Sequence, residues 1–225
     1  MLHITPTPRG IGIKLWGTHE DLNSFYEVIG KYWGEEKDFN LHGSENRDKL
    51  ISSFSYEVRK AYEGLRLKKK SDHPEIEAVE YFGTKISWVH ILFFLAALKF
   101  NMRYSETTRF DIAMLLQVEY WLEKAMKVYD PTGARKLAGF IEGGIYEANE
   151  YIYHYMRSIN MDFFILGGGK KAFRQLPRLL NKAVFYTDEY NAYRTFLEKE
   201  AKRLGCNVND MEIDDDEVDY EGLRW

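Results

Sequence analysis

The residues of this 225-residue chain whose types lend themselves to chemistry are six histidines, one cysteine and a basic run that follows three consecutive glycines. The histidines (His3, His19, His42, His73, His90, His154) are scattered, and no two stand four apart on an expected helix. Such a pair would offer two imidazoles to one metal ion, and a lone cysteine cannot build a thiolate zinc site. Cys206 falls just past an expected helix end, with no neighbour that would activate its thiol. Gly167-Gly168-Gly169-Lys170 is not a phosphate-binding loop. Phe164 stands where its first glycine belongs, and Lys171 stands where a magnesium-binding hydroxyl is required. The arginine–histidine spacing of many small helical ribonucleases is missing, and the acidic C-terminal stretch lacks the glycine of a calcium loop. The sequence therefore assigns no catalytic residue, no metal ligand and no cofactor.

Two other features are candidates for binding. Lys170, Arg174, Arg178 and Lys182 recur every fourth residue, with Lys171 beside them. On a helix they make one basic stripe suited to phosphates or to an acidic partner, or simply a solvated face. Pro177 lies inside the run and is expected to shorten or kink the helix. The second feature is the C-terminal stretch. Residues 210–221 hold eight acids and no base, and without those acids and Arg224 the remaining chain carries a net charge of +3. This acidic segment ends in Tyr220, Leu223 and Trp225, residue types that often anchor interfaces. Acidic tails of this kind are usually disordered, and the anchored alternative is that it folds back on the basic stripe or inserts into another chain. Tyr146 and Tyr153, on a tyrosine-rich stretch, either fill the core or are further candidates for a protein interface. Glu142, Glu147 and Glu150 near His154 would be the groups of an enzyme only if a pocket gathered them.

These features must be positioned by an α+β fold that is mainly α. Residues 2–5 and 10–16 alternate around Pro6-Thr7-Pro8-Arg9-Gly10 and predict an antiparallel hairpin. Thr18 followed by Asp21 predicts a capped helix with Leu22, Phe25, Tyr26, Ile29 and Trp33 on one stripe. A second helix is expected from Ser44, with Leu50, Ile51, Phe54, Val58, Ala61 and Tyr62 inward. Leu65 to Lys70 reads as a lysine-rich edge strand, paired with Ile76 to Phe82 across a bend at Asp72-His73-Pro74. Trp88 to Phe100 is apolar except for His90 and Lys99, too short to span a bilayer, and belongs at the centre. His90 is expected to be a core histidine with a hydrogen-bond partner.

A helix capped by Ser105 should follow, with Ile112, Leu115, Leu116, Leu122 and Met126 inward, ending at Asp130-Pro131. Residues 133–158 read as one further helix, although Gly139, Gly143 and Gly144 weaken its first half. The domains expected are a core over 1–166, a helical extension over 167–205 after a glycine hinge, and the acidic tail over 206–225.

The segments Ile4 to Ile13, Trp16-Gly17-Thr18-His19-Glu20-Asp21-Leu22, Tyr56 to Gly64 and Ile91 to Leu98 together resemble an uncharacterised bacterial family, a domain of unknown function. The resemblance covers roughly the first hundred residues and implies a fold with no assigned activity. The helical part beyond residue 130 is expected to depart from the typical member. These observations lead to the expectation of a non-enzymatic, cytoplasmic bacterial interaction protein, a regulatory subunit of a larger assembly in a defence or toxin–antitoxin setting. Its partner would be a protein, either a second copy or another subunit, and not a membrane. The alternatives are a nucleic-acid-binding accessory protein and an enzyme whose site forms only in three dimensions.

Overall fold

In the computed structural model, residues 1–34, 41–71, 79–211, 223 and 225 are described. The chain opens as the expected hairpin, β1 (His3–Pro6) and β2 (Gly12–Gly17). Its turn is closed by the Thr7 N–H, which donates to the Gly12 carbonyl at 2.8 Å. Thr18 caps α1 (His19–Gly30): its hydroxyl accepts from the Asp21 N–H at 3.2 Å, and the Asp21 carboxylate accepts from the Thr18 N–H at 3.0 Å. α2 (Ser44–Tyr62) buries Leu50, Ile51, Phe54, Val58 and Ala61.

β3 (Leu67–Lys70) and β4 (Glu80–Ser87) complete an antiparallel sheet in the order β1-β2-β4-β3, with Ile13 opposite Ile86 and Leu67 opposite Gly83. The lysines of β3 lie on the open edge, where charge discourages unwanted pairing. β4 runs five residues past the expected Phe82, because Gly83 to Ser87 continue to pair with β2. The Asp72-His73-Pro74 bend and Ile76 lie outside the described residues.

Ser87 ends β4 and caps α3 (Trp88–Met102), accepting from the His90 N–H at 3.0 Å. α3 is central, with α2, α5, α6 and the sheet packed around it. Two expectations fail in α4 (Arg109–Tyr129). Its cap is Thr108, not Ser105, because Asp111 stands three residues after Thr108 and closes a capping box with it. Ile112 and Leu116 are exposed; the inward face is Asp111, Val118, Leu122, Ala125 and Met126.

Residues 133–158 are not one helix. α5 (Pro131–Glu142) stops at Gly143, whose φ of 154° suits glycine, and the Gly143 and Gly144 N–H groups both return to the Gly139 carbonyl. α6 (Ile152–Ile165) starts only after the non-helical residues 143–151. Gly167 to Gly169 pass against the hairpin turn. The Gly169 N–H donates to the Arg9 carbonyl at 2.6 Å, and a Cβ on Gly168 would lie 2.7 Å from that same oxygen. α7 (Gly169–Leu180) retains Pro177 and buries Phe173, Leu176 and Leu180. α8 (Asp188–Leu204) begins at the Thr187 cap and ends at Gly205. A short 3-10 turn (Val208–Asp210) brings the chain back to α2, where Asn46 donates to the Asn209 side chain at 2.8 Å. One apolar cluster extends from Leu2 to Val208. No helix among the described residues is long and apolar enough to cross a membrane.

Candidate functional site

Groups from four elements converge on an open cavity. α2 presents Ser53, Tyr56 and Glu57, spaced three and four apart and so on one face. Lys85 stands at the end of β4, His90 in the first turn of α3, and Asn160 and Phe164 one helical turn apart on α6. The cavity opens widely to solvent and measures about 630 Å³, and Leu223 and Trp225 form part of its wall. The strand-to-helix junction at Ser87 fixes Lys85 and His90 together, since the cap hydroxyl is bonded to the His90 N–H.

His90 does have a hydrogen-bond partner, the Ser53 hydroxyl, 3.0 Å from Nε2. The Ser53 hydroxyl also donates to the Leu50 carbonyl at 2.9 Å. A hydroxyl has one proton, so when Ser53 gives it to the Leu50 carbonyl, Nε2 is the donor of the Ser53–His90 bond. Burial, only partly opposed by the Glu57 charge, pushes the imidazole down to about 4, so it is neutral near pH 7. Burial pulls the Glu57 carboxyl up, but hydrogen bonds from Arg66 and Thr84 outweigh this and hold it below the ordinary range. Arg66 grips both Glu57 oxygens at 2.9 Å, and Thr84 donates to one of them at 3.0 Å. Ser53 lies inside a 19-residue helix, whose N–H groups bond along the helix and cannot be aimed at a developing oxyanion. The arrangement is therefore suited to binding rather than to acyl transfer.

One atom in this wall stands out energetically. Asn160 Oδ1 is buried and has no hydrogen-bond partner among the described residues. The Lys85 ammonium has no carboxylate partner among them either; it lies 5.8 Å from the centre of the Trp225 ring.

The basic stripe is divided by the fold. Arg174 binds both oxygens of Asp130 at 2.8 Å, and Lys182 binds Asp162 at 2.8 Å and Ser158 at 3.0 Å. Lys170, Lys171 and Arg178 remain exposed. Of the tail anchors, Leu223 and Trp225 pack against the core cluster, with Trp225 edge-on to Phe164 at 6.5 Å. They sit beside α6 and β4 rather than on the basic stripe, and Tyr220 lies outside the described residues. Tyr146 is stacked on Phe185 at 4.1 Å, and Tyr153 is half-buried with its ring edge-on to that of His154 at 6.4 Å. Glu147 is paired with Arg103 and Glu150 with Arg194 and His42, while His154 is buried with no partner for Nδ1 among the described residues. Among the described residues no group of three or more His, Cys, Asp or Glu could hold a metal ion.

Sequence reasoning missed Ser53, Glu57, Lys85, Asn160 and Phe164 as members of one site. The one local signal was His90, a polar interruption of an otherwise apolar helix. Its partner lies 37 residues away, beyond the reach of any spacing rule.

The model of a family described as a domain of unknown function (DUF6904) matches residues 2–225. The match runs through the helical part beyond residue 130, which is thus within the family domain and not a departure from it. No curated protein and no solved structure matches the chain.

Proposed function

We propose that this chain, which belongs to the DUF6904 family, is a non-enzymatic interaction protein that engages a protein partner through its C-terminal segment. The observation that carries this reading is the seating of Leu223 and Trp225 on the body after a strongly acidic stretch. Both anchors are only partly buried. An anchor held this shallowly can be given up to a second surface, and Trp is among the residues that most often dominate such contacts. A setting in a cytoplasmic bacterial assembly, including defence or toxin–antitoxin systems, fits that role.

The test is to replace Leu223 and Trp225 together by alanine and to follow association over a concentration series by light scattering. Association of the unaltered chain that is lost in the double variant is the expected result. Equal association of the two proteins overturns the reading.

Nucleic-acid binding through residues 170–182 has less to support it. Arg174 and Lys182 are already in ion pairs, leaving Lys170, Lys171 and Arg178 for phosphates. Three contacts would give only a shallow dependence of binding on salt.

A further inference from the structure

We infer that the outer face of α4 is a contact between two copies of this chain, packed antiparallel about a two-fold axis at Leu116. The apolar side chains of this face stand out in solvent: Ile112 is 45%, Leu116 56% and Tyr120 59% exposed. Three features identify the occupant as a second copy.

The first is spacing. Arg109, Ile112, Leu116, Tyr120 and Glu123 are separated by three, four, four and three residues, so they form one stripe along the helix. Those intervals read the same in both directions. Turned end for end about Leu116, the stripe falls on itself, with Leu116 against Leu116 and Ile112 against Tyr120. The second is charge. Arg109 closes one end of the stripe and Glu123 the other. The two-fold turn sets each Arg109 guanidinium against the Glu123 carboxylate of the second copy, whereas a parallel pair would oppose like charges. Lys127 donates to one Glu123 oxygen at 3.0 Å, and a carboxylate accepts at both. The third is register. Sliding the copies by one helical turn in one direction brings Arg109 to Lys127 and Ile112 to Lys124. The opposite slide brings Arg109 to Glu119, which already holds Lys99, and leaves Glu123 facing Ser105 beyond the helix start. Charge therefore selects the register centred on Leu116.

A stripe of this length makes a contact smaller than that of a stable dimer, with a dissociation constant on the order of 100 µM. Below about 10 µM the contact is nearly empty, so light scattering there reports the C-terminal segment alone, and urea unfolding reports the single chain. The α4 contact goes beyond the C-terminal reading and does not depend on it, since Leu223 and Trp225 sit beside α6 and β4.

The experiment uses the full chain with Cys206→Ser, so that Leu116→Cys supplies its one thiol. With diamide as oxidant at about 200 µM protein, this variant should form a disulfide-linked dimer on a non-reducing gel, and at about 1 µM it should not. Ile112→Cys in the same background is the control. Its two copies are offset by eight residues along the paired helices, about 12 Å, which is beyond the reach of a disulfide. Sedimentation equilibrium gives a second readout. Arg109→Glu and Glu123→Arg should each weaken pairing about tenfold, because symmetry applies each change twice, and the two together should restore it to within about threefold. The inference is overturned if Leu116→Cys gives no dimer at about 200 µM, if Ile112→Cys cross-links equally, or if the double charge exchange stays as weak as the single changes. Repeating the cross-linking with Leu223→Ala and Trp225→Ala separates the two readings. A dimer that persists belongs to α4; one that disappears belongs to the C-terminal segment and overturns the inference.

Discussion

α3 and α4 follow one another in the chain, both carry apolar residues around much of their circumference, and they end in opposite surroundings. α3 buries 13 of its 15 residues, and the two it does not bury, His90 and Lys99, reach hydrogen-bond partners on α2 and α4. α4 buries 5 of 21 and leaves Phe110, Ile112, Leu116, Tyr120 and Val128 exposed. The difference lies in what surrounds each helix. α3 is enclosed by helices and by the sheet, whereas α4 covers the edge strand β1 and packs on α5 and α1. A helix that shields a sheet edge needs one apolar stripe for that task. Its remaining apolar residues are not accounted for by packing among the described residues.

The largest expected effect tests the enclosed helix. Phe94 is fully buried and stacks on Phe54 at 3.7 Å. Phe94→Ala should destabilise the protein by about 3–5 kcal/mol in urea denaturation. A loss under about 1 kcal/mol would break the contrast, because it would mean that the site around α3 collapses freely.

A smaller effect is expected at the junction where α4 ends. Asp130 is buried, caps α5 through the Gly133 N–H at 2.9 Å and is gripped by Arg174. Asp130→Ala should cost about 1–2 kcal/mol through the lost cap. The Arg174 guanidinium, together with the Gly133 N–H, holds this carboxyl down to about 2, against the opposing pull of burial. A carboxyl lowered on folding binds protons more readily in the unfolded chain. Its stabilising contribution is therefore complete above about pH 4 and is lost as the pH falls towards about 2. Urea midpoints of the wild type and of Arg174→Leu should differ at about pH 5 and converge near pH 2. A constant difference across that window would show that the pair does not stabilise the folded chain through this charge.

The same contrast marks what could be read in the sequence. The hairpin, the Thr18 cap, the inward face of α2 and α3 as far as Phe100 were legible because each rests on local spacing or on nearly continuous apolar character. Ser105 misled because it too is a competent cap, and only the partner three residues on, Asp111 after Thr108, decides the start of α4. Ile112 and Leu116 misled because they stand four apart, as an inward pair would; that spacing shows a shared face but not which way the face points. The break at Gly143 was visible as glycine content, although its geometry was not. The cavity was the least legible part. Ser53, Lys85, His90 and Asn160 lie on four separate elements, and the approach of α6 to α2 and α3 depends on the path between α5 and α6, where helical periodicity is silent.

The smallest expected effect decides whether the outer face of α4 is free. Leu116 is 56% exposed, so truncation removes little packing within the chain. Alanine is also the stronger helix former, which offsets part of the lost contact area. Leu116→Ala should therefore change stability by no more than about 0.5 kcal/mol in either direction. A loss above about 2 kcal/mol would match a core position rather than a surface one. Such a loss would mean that Leu116 is covered in solution by a second chain, and it should then grow with protein concentration, because an interface is populated by mass action and a core is not. That outcome would make α4 a second enclosed helix, completed by a partner instead of by its own fold.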